Sequence, residues 1–556
     1  MRRLHTVSAL IAAILLLAGC VPTPPATSST PAAKSGAPAA KSGLPALRLP
    51  SEDYGYPQPY TFSRGPGHML LTFVFDTLVS HDPNGILPWL AREWQVSPDG
   101  KTWTFTLRPG VKWHDGQPLT PDDVVFTIGY LKANPNPWWA GALEIVDRVE
   151  KRGDDGVAFV LTRPYAPFLT AIAASVTILP KHVWEGVSDP KTFLDVRAAM
   201  GSGPYVLKEY DRAQGSYLFE ANPAFFLGEP YVRRIELVPA ANQLLALQQG
   251  QIDAAGAGTQ EVPTDEVLAP FKDTTKFGIL TGPREWTLGL YFNMTRGGPL
   301  ADVRVRRAFA YAIDQTDLVT RVLQGKGTPG RPGHLAPTSP WYNAQARMYP
   351  HAPSVAMQAL DDAGYRDTNG DGVREAPDGT PLRFELLYST WDSPRNAELL
   401  SSYLQAIGVA LTPRATERNA LDTAAAEGRY ELVLVGFGGI GGDPDGLRTK
   451  FHSASRARTF TRAQGYANPR FDELADRQLT ETDEAQRRAL VDEMQTILAD
   501  DVPMLSLYYP EDTWIFRKGT IDDWYLAYGW YGGGVQGAFK RLFVTGQRDG
   551  IAIKGR

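Results

Sequence analysis

Cysteine is almost missing from this chain: among 556 residues only Cys20 carries a thiol. No intramolecular disulfide can form, so the fold must rest on its core. Histidine is scarce as well, with eight residues scattered along the sequence. Neither HExxH nor CxxC occurs, which removes the usual zinc signatures with their closely spaced ligands. The G-x-S-x-G run of a nucleophile elbow is absent too, and with it the α/β-hydrolase form of serine catalysis. Past residue 20 no apolar run approaches the ~18–20 residues that a membrane-crossing helix needs. Positive charge is not in excess: 56 Lys and Arg stand against 61 Asp and Glu, a formal net charge of −5. A nucleic-acid partner would call for a basic face, and none is implied.

What is there begins at the amino terminus. Arg2 and Arg3 precede an apolar run from Ala9 to Ala18, followed by "LAGC" at residues 17–20. A run of roughly ten residues suits the h-region of a signal peptide. The small-small-Cys ending resembles a bacterial lipobox, which implies cleavage after residue 19 and lipidation of Cys20. Acyl chains at roughly 0.8 kcal/mol per buried methylene would hold the protein on a membrane surface. Residues 21–43, rich in Pro, Ala, Ser, Thr and Lys, cannot bury enough surface to offset their ordering entropy and read as a disordered tether. Without Arg2 and Arg3 the remaining chain has 54 basic and 61 acidic groups, a formal charge of −7. The folded body starts near Leu44 and is long enough for two or three domains.

The run "TWTFTLRPGVKWHDGQPLT" at 102–120 contains a Trp-His-Asp cluster that invites a catalytic or metal-binding reading. Its pattern points elsewhere. Trp103, Phe105 and Leu107 alternate with threonines, the period of a strand with one buried face. Asp99-Gly100 and Pro109-Gly110 bracket it with turns, and Val111 and Trp113 continue the alternation as the return strand of a hairpin. Thr120, Pro121, Asp122 and Asp123 supply a cap, a first-turn proline and first-turn acids for a helix whose apolar face holds Val124, Val125, Ile128 and Leu131. His114 then satisfies nearby backbone and Asp115-Gly116 makes a turn. Farther on, 302–323 reads as one helix and 395–407 as another ended by Gly408. "YELVLVG" at 430–436 suits a central strand. Helix and strand signals alternate, the pattern of an α/β fold with sheets covered by helices.

"DGKTWTFTLRPGVKWHDGQPLTPDDVVF" at 99–126 resembles the signature of the family 5 extracellular solute-binding proteins, the peptide, nickel and oligosaccharide receptors of ABC importers. So do "GSGPYVL" at 201, "ANPAFFLGEP" at 221, "LLALQQGQIDAA" at 244, "LYFNMTRGGPLADVRVRRAFAYAIDQTDLV" at 290, "DDAGYRDTNGDGVRE" at 361, "GGDPDG" at 441 and "FDELADRQLTETDEAQRRALVDEMQTILADDVPMLSLYY" at 471. These stand in the family's order. The resemblance implies a two-lobed periplasmic-binding-protein fold of the large type with an extra domain and a hinge-closing cleft. Its domains would be I (44–75, 195–285 and 505–556), II (76–194) and III (286–504), after the signal peptide (1–19) and the lipidated tether (20–43). It also implies a monomeric, non-enzymatic receptor in the cell envelope that delivers ligand to a permease and ATPase complex. A sensory receptor of the same fold is the alternative, and a surface hydrolase lacks its nucleophile and base.

In peptide-binding members the ligand lies extended between an early loop and a strand near the GDPD motif. By position these are Phe62, Ser63, Arg64 and Gly65, and Gly436, Phe437, Gly438, Gly439 and Ile440. Dipeptide-binding members resemble "WTGD" before that motif, with its aspartate holding the ligand's amino group; here Ile440 stands in that place. Asp443 and Asp445 match the general motif. Near "YSTWDSPRN" the sole basic residue is Arg395, beside Trp391 and Asp392. A strict dipeptide ligand therefore fits poorly, longer peptides fit better, and an oligosaccharide is the rival. Rings for stacking a sugar could come from Trp286, Tyr291, Trp391, Trp514, Tyr525, Trp530 and Tyr531, with Asn293 among the polar candidates. No cofactor is implied beyond one ion. Asp367, Asn369, Asp371, Gly372, Glu375 and Asp378 occupy positions 1, 3, 5, 6, 9 and 12 of a calcium-loop pattern, although its last acid is Asp and a strand follows.

Overall fold

The computed structural model describes residues 43–62, 64–82, 85–136, 138–256, 263–283, 285–439, 443–455, 461–525 and 539–547, with residues 64–66, 82 and 539 given as backbone only. Cys20 and the rest of 1–42, as well as Ser63, Ile440, Trp530 and Tyr531, fall outside the described residues.

Two four-stranded sheets and a hairpin make the first part. Leu47–Ser51 runs parallel to Arg234–Pro239, which continues antiparallel to Ser216–Ala221 and then Tyr205–Asp211. The second sheet orders Ala91–Val96, Thr102–Leu107, Gly156–Leu161 and Val146–Arg152, all antiparallel. The strand expected at 102–107 is therefore present, with Phe105 and Leu107 buried. Its expected hairpin partner is not. Residues 111–113 form no strand, and only an isolated bridge links Lys112 to Pro118. Pro109 and the turn at Gly110 (φ +75°) lead the chain away, leaving both edges of 102–107 to strands 91–96 and 156–161.

The helix after this motif runs Pro121–Ala133. Its start is a capping box in which Asp123 accepts from the Thr120 amide at 2.8 Å. His114 is a fastener: its Nε2 lies 3.0 Å from the Gly203 carbonyl and its Nδ1 accepts from the Gly201 amide at 3.3 Å. Burial lowers its pKa. Gly201 and Gly203 press on the backbone of 73–75, where an added Cβ would lie 1.9 Å from the Val74 carbonyl oxygen and 2.4 Å from that of Phe73. Nearby, Asp76 is fully buried, accepts from Trp89 Nε1 and Ser202 Oγ at 2.7 Å each, and pairs with Lys540. That ion pair locks the Phe539–Thr545 helix onto a core shared by residues 47–237 and 516–544.

The second part is an eight-stranded mixed sheet. Its order is Ala254–Gly256, Met504–Arg517, Thr287–Phe292, Leu432–Phe437, Arg383–Ser389 and Ala410–Thr416, with Phe277–Pro283 and Gly327–Pro329 also paired to the long Met504–Arg517 strand. Helices cover both faces. Leu432 and Leu434 pack into one core with residues of 303–323 and 397–409, while Val433 and Val435 pack into another with residues of 471–498. Burial on both faces explains why "YELVLVG" shows no alternation. The single helix expected over 302–323 is two, Val303–Ala312 and Gln315–Val322, because Asp314 accepts from the Asp317 amide and starts a new helix. An apolar period carries on through such a break, so periodicity alone hides it.

Candidate functional site

The register of the large sheet brings the family-matched segments to one edge. Strand 432–437 pairs antiparallel with 287–292, setting Phe437 opposite Thr287, and parallel with 383–389, setting Val433 beside Leu387. The start of 287–292 and the ends of 432–437 and 383–389 thus emerge together, and Trp286, Phe437, Gly438, Gly439 and Trp391 sit at or just past that edge. Pairing between 432–437 and 383–389 is confined to Leu432 and Val433, whereas pairing with 287–292 extends to Phe437. The outer side of 434–437 is thereby left out of the described ladder. Gly436 is needed for packing, since an added Cβ would come 2.3 Å from the Trp286 ring. Gly439 has φ +90° and an added Cβ would come 2.3 Å from Glu285 Oε2; both demands favour glycine.

Three ionisable groups that sequence reasoning missed line this edge. Glu285 is 7% exposed, and its Oε2 has no hydrogen-bond partner. Burial pushes its carboxyl up to about 7. His334 stacks on Phe437 at 4.4 Å between ring centroids, and burial holds its pKa well below the ordinary value. The Lys450 ammonium lies 4.2 Å from the centroid of the same ring; burial brings its pKa down to about 8, opposed by Asp445. None of the three falls in a run that a spacing rule detects. The one sequence signal was an acid two residues ahead of an otherwise apolar strand.

Several candidate residues are committed to structural bonds. Asp443 is held bidentately by Arg487, at 2.7 and 3.1 Å, and accepts from Thr170 Oγ1 at 3.3 Å. This ties the segment 165–170 to 443–487, where Ala166 also donates its amide to the Leu479 carbonyl at 2.7 Å. Asn293 donates to the Gly428 and Tyr430 carbonyls at 2.8 Å each and fixes the end of its strand. Tyr291 is fully buried in a core, its hydroxyl without a partner. Trp391 is 50% exposed with the Arg418 guanidinium 4.7 Å from its ring centroid, and Arg395 faces Glu398 at 3.8 Å. Phe62 is buried against Trp138 at 5.2 Å, and the half-buried Trp514 packs on Trp524 at 5.2 Å. No described contact joins either pair to the 437–439 edge. The side chains of Arg64 and Gly65 are outside the described set.

The 367–378 loop does gather acids: carboxylate oxygens of Asp367, Asp371 and Glu375 lie within 4.8 Å of one another. They already have partners. Asp367 accepts from the Gly370 and Gly372 amides, Asp371 from the Val373 amide and Arg383, and Glu375 from Thr368 and Asn369. Asp378 turns instead to the Thr380 amide.

Two sheet systems, the pair of four-stranded sheets and the eight-stranded mixed sheet with its helix-covered faces, make a two-lobed binding protein of the large periplasmic type. The chain belongs to the bacterial extracellular solute-binding proteins, family 5, whose middle region matches residues 85–458. It is 31% identical over 439 residues to Protein XP55 of Streptomyces lividans, covering 77% of each chain. It is 27% identical to the Dipeptide-binding protein of Escherichia coli strain K12, over 76% of this chain and 80% of that one. The structure of the oligopeptide-binding protein AppA from Bacillus subtilis in complex with a nonapeptide superposes with a TM-score of 0.70 at 24% identity, over 85% of this chain and 94% of that one. A mannohexaose-bound periplasmic oligopeptide-binding protein from Thermotoga maritima superposes at TM-score 0.70 and 24% identity, over 85% and 92%. The chain is a non-enzymatic substrate receptor of the ABC-importer type. Among the described residues no helix is long and apolar enough to cross a membrane.

Proposed function

We propose that this protein is the lipid-anchored receptor of an ABC importer that captures oligopeptides in the cleft at the 437–439 edge and hands them to a membrane permease. The observation that carries the reading is the strand 432–437. Its ladder to 383–389 stops at Val433 while the strand continues to Phe437 and on to two glycines. Main chain outside the described ladder to 383–389, beside glycines, suits an extended ligand that adds itself as a strand, taking affinity from backbone hydrogen bonds and tolerating varied side chains. Relatives named for dipeptides and oligopeptides support it. The "LAGC" run at Cys20 supports the anchor.

A thermal-shift screen of the chain from residue 21 tests this. Peptides of three to six residues should raise the melting temperature, because a ligand at a hundredfold excess over Kd adds roughly 2.7 kcal/mol. Shifts with mannan or glucan oligosaccharides and none with peptides refute it. The sugar reading rests on the half-exposed ring of Trp391 at the same edge. Incorporation of labelled palmitate into the full chain, lost in Cys20→Ala, tests the anchor.

A further inference from the structure

The edge has a carboxylate, Glu285, whose buried Oε2 has no hydrogen-bond partner among the described residues. Glu285 precedes strand 287–292, and the pairing of Thr287 with Phe437 continues outward to set Glu285 across from Gly439. The glycine makes room for it, since any Cβ there would strike Glu285 Oε2. The strand itself ends at Phe437, so the acid lies against the chain two residues past the Phe437 ring. It is one residue short of position 440, where dipeptide-binding members have their amino-group-holding acid and this sequence has isoleucine.

We infer that Glu285 is the acceptor for the ligand's ammonium group, supplied from the neighbouring strand in place of an acid at position 440. The inference rests on the peptide reading above, and the group it receives is the α-ammonium of a free amino terminus. Burial of a polar atom without a partner works against folding, and more so when the atom is charged. Such a cost persists where a ligand removes it. Burial is the one cause raising the Glu285 pKa; no basic group offsets it among the described residues. The Lys450 ammonium is drawn toward Asp445 and the Phe437 ring rather than toward Glu285. An incoming ammonium would complete an ion pair in a low-dielectric setting, where a charge-assisted bond is about twice as strong as a neutral one.

The test uses a randomised tetrapeptide library, one half with free amino termini and the other N-acetylated, incubated at pH 7.5 with the chain from residue 21. Retained peptides are read by mass spectrometry. The unsubstituted protein should retain free-amino peptides about thirtyfold over acetylated ones, the lower end of what an unmatched buried charge costs. Glu285→Gln should lose that preference while keeping total acetylated binding, and Glu285→Asp, with a shorter acid, should keep part of it. If the unsubstituted protein retains both halves equally, or if Glu285→Gln discriminates as well as it does, Glu285 is not the acceptor although peptide binding stands. Retention of neither half overturns the peptide reading and this inference with it. Should Glu285→Gln not fold, equal retention of both halves by Glu285→Asp is the overturning result.

Discussion

Replacing Glu285 by Gln should stabilise the ligand-free protein, and only at high pH. Burial moves this carboxyl from the ordinary 4.5 to about 7. The folded protein thus holds a proton that the unfolded chain releases between those two values, so ionising the group works against folding. Its contribution is fully favourable below pH 4.5 and is lost as pH rises through 7. A displacement of that size corresponds to about 3 kcal/mol above pH 8 and to just under 1 kcal/mol at pH 5. The amide of Gln does not ionise between these pH values, so any constant offset from the substitution cancels between the two conditions. Urea unfolding followed by tryptophan fluorescence at pH 5 and pH 8.5, with and without the substitution, reads the difference. An advantage for Glu285→Gln that grows by roughly 2–3 kcal/mol between the two supports the reasoning; a gap independent of pH refutes it. A residue whose removal stabilises the empty receptor is one kept for binding.

Gly439→Ala should impair ligand capture and destabilise the fold by about 1–2 kcal/mol or more, since φ is +90° and the new Cβ meets Glu285; unchanged urea midpoint and unchanged peptide retention would contradict this. Asp76→Asn should cost about 3–5 kcal/mol by stranding the buried Lys540 ammonium, read as a lowered urea midpoint with the Phe539–Thr545 helix the first to gain amide exchange. Protein treated with a chelator should give no saturable calorimetric response to calcium. Amides and Arg383 already occupy the Asp367, Asp371 and Glu375 oxygens, and a one-to-one binding isotherm would show that the ion displaces them.

Much of the fold was legible because local and global signals agreed. The cap at Thr120, the alternation over 102–107 and the apolar run at 430–436 each became the element expected. Where they failed, a tertiary partner or a local cap decided. The 102–107 strand took neighbours from 91–96 and 156–161 rather than from the adjacent 111–113, and Asp314 interrupted an apolar period that looked continuous. The site was less legible. Family motifs placed Phe437, Gly438 and Gly439 at an edge, and Trp391 followed from the strand register. Asp443 and Asn293 carried the right residue types, yet their polar atoms are engaged with Arg487 and with main-chain carbonyls. Glu285, His334 and Lys450 come from three separate segments with no common spacing, so only the folded chain brings them near Phe437.

The most direct measurement is the identity of what the protein carries. Chain expressed from residue 21, purified without denaturant and then unfolded in acid, should release peptides of several residues with free amino termini, identified by mass spectrometry. Release of oligosaccharide, of a metal chelate or of acetylated species alone would contradict the peptide-receptor assignment.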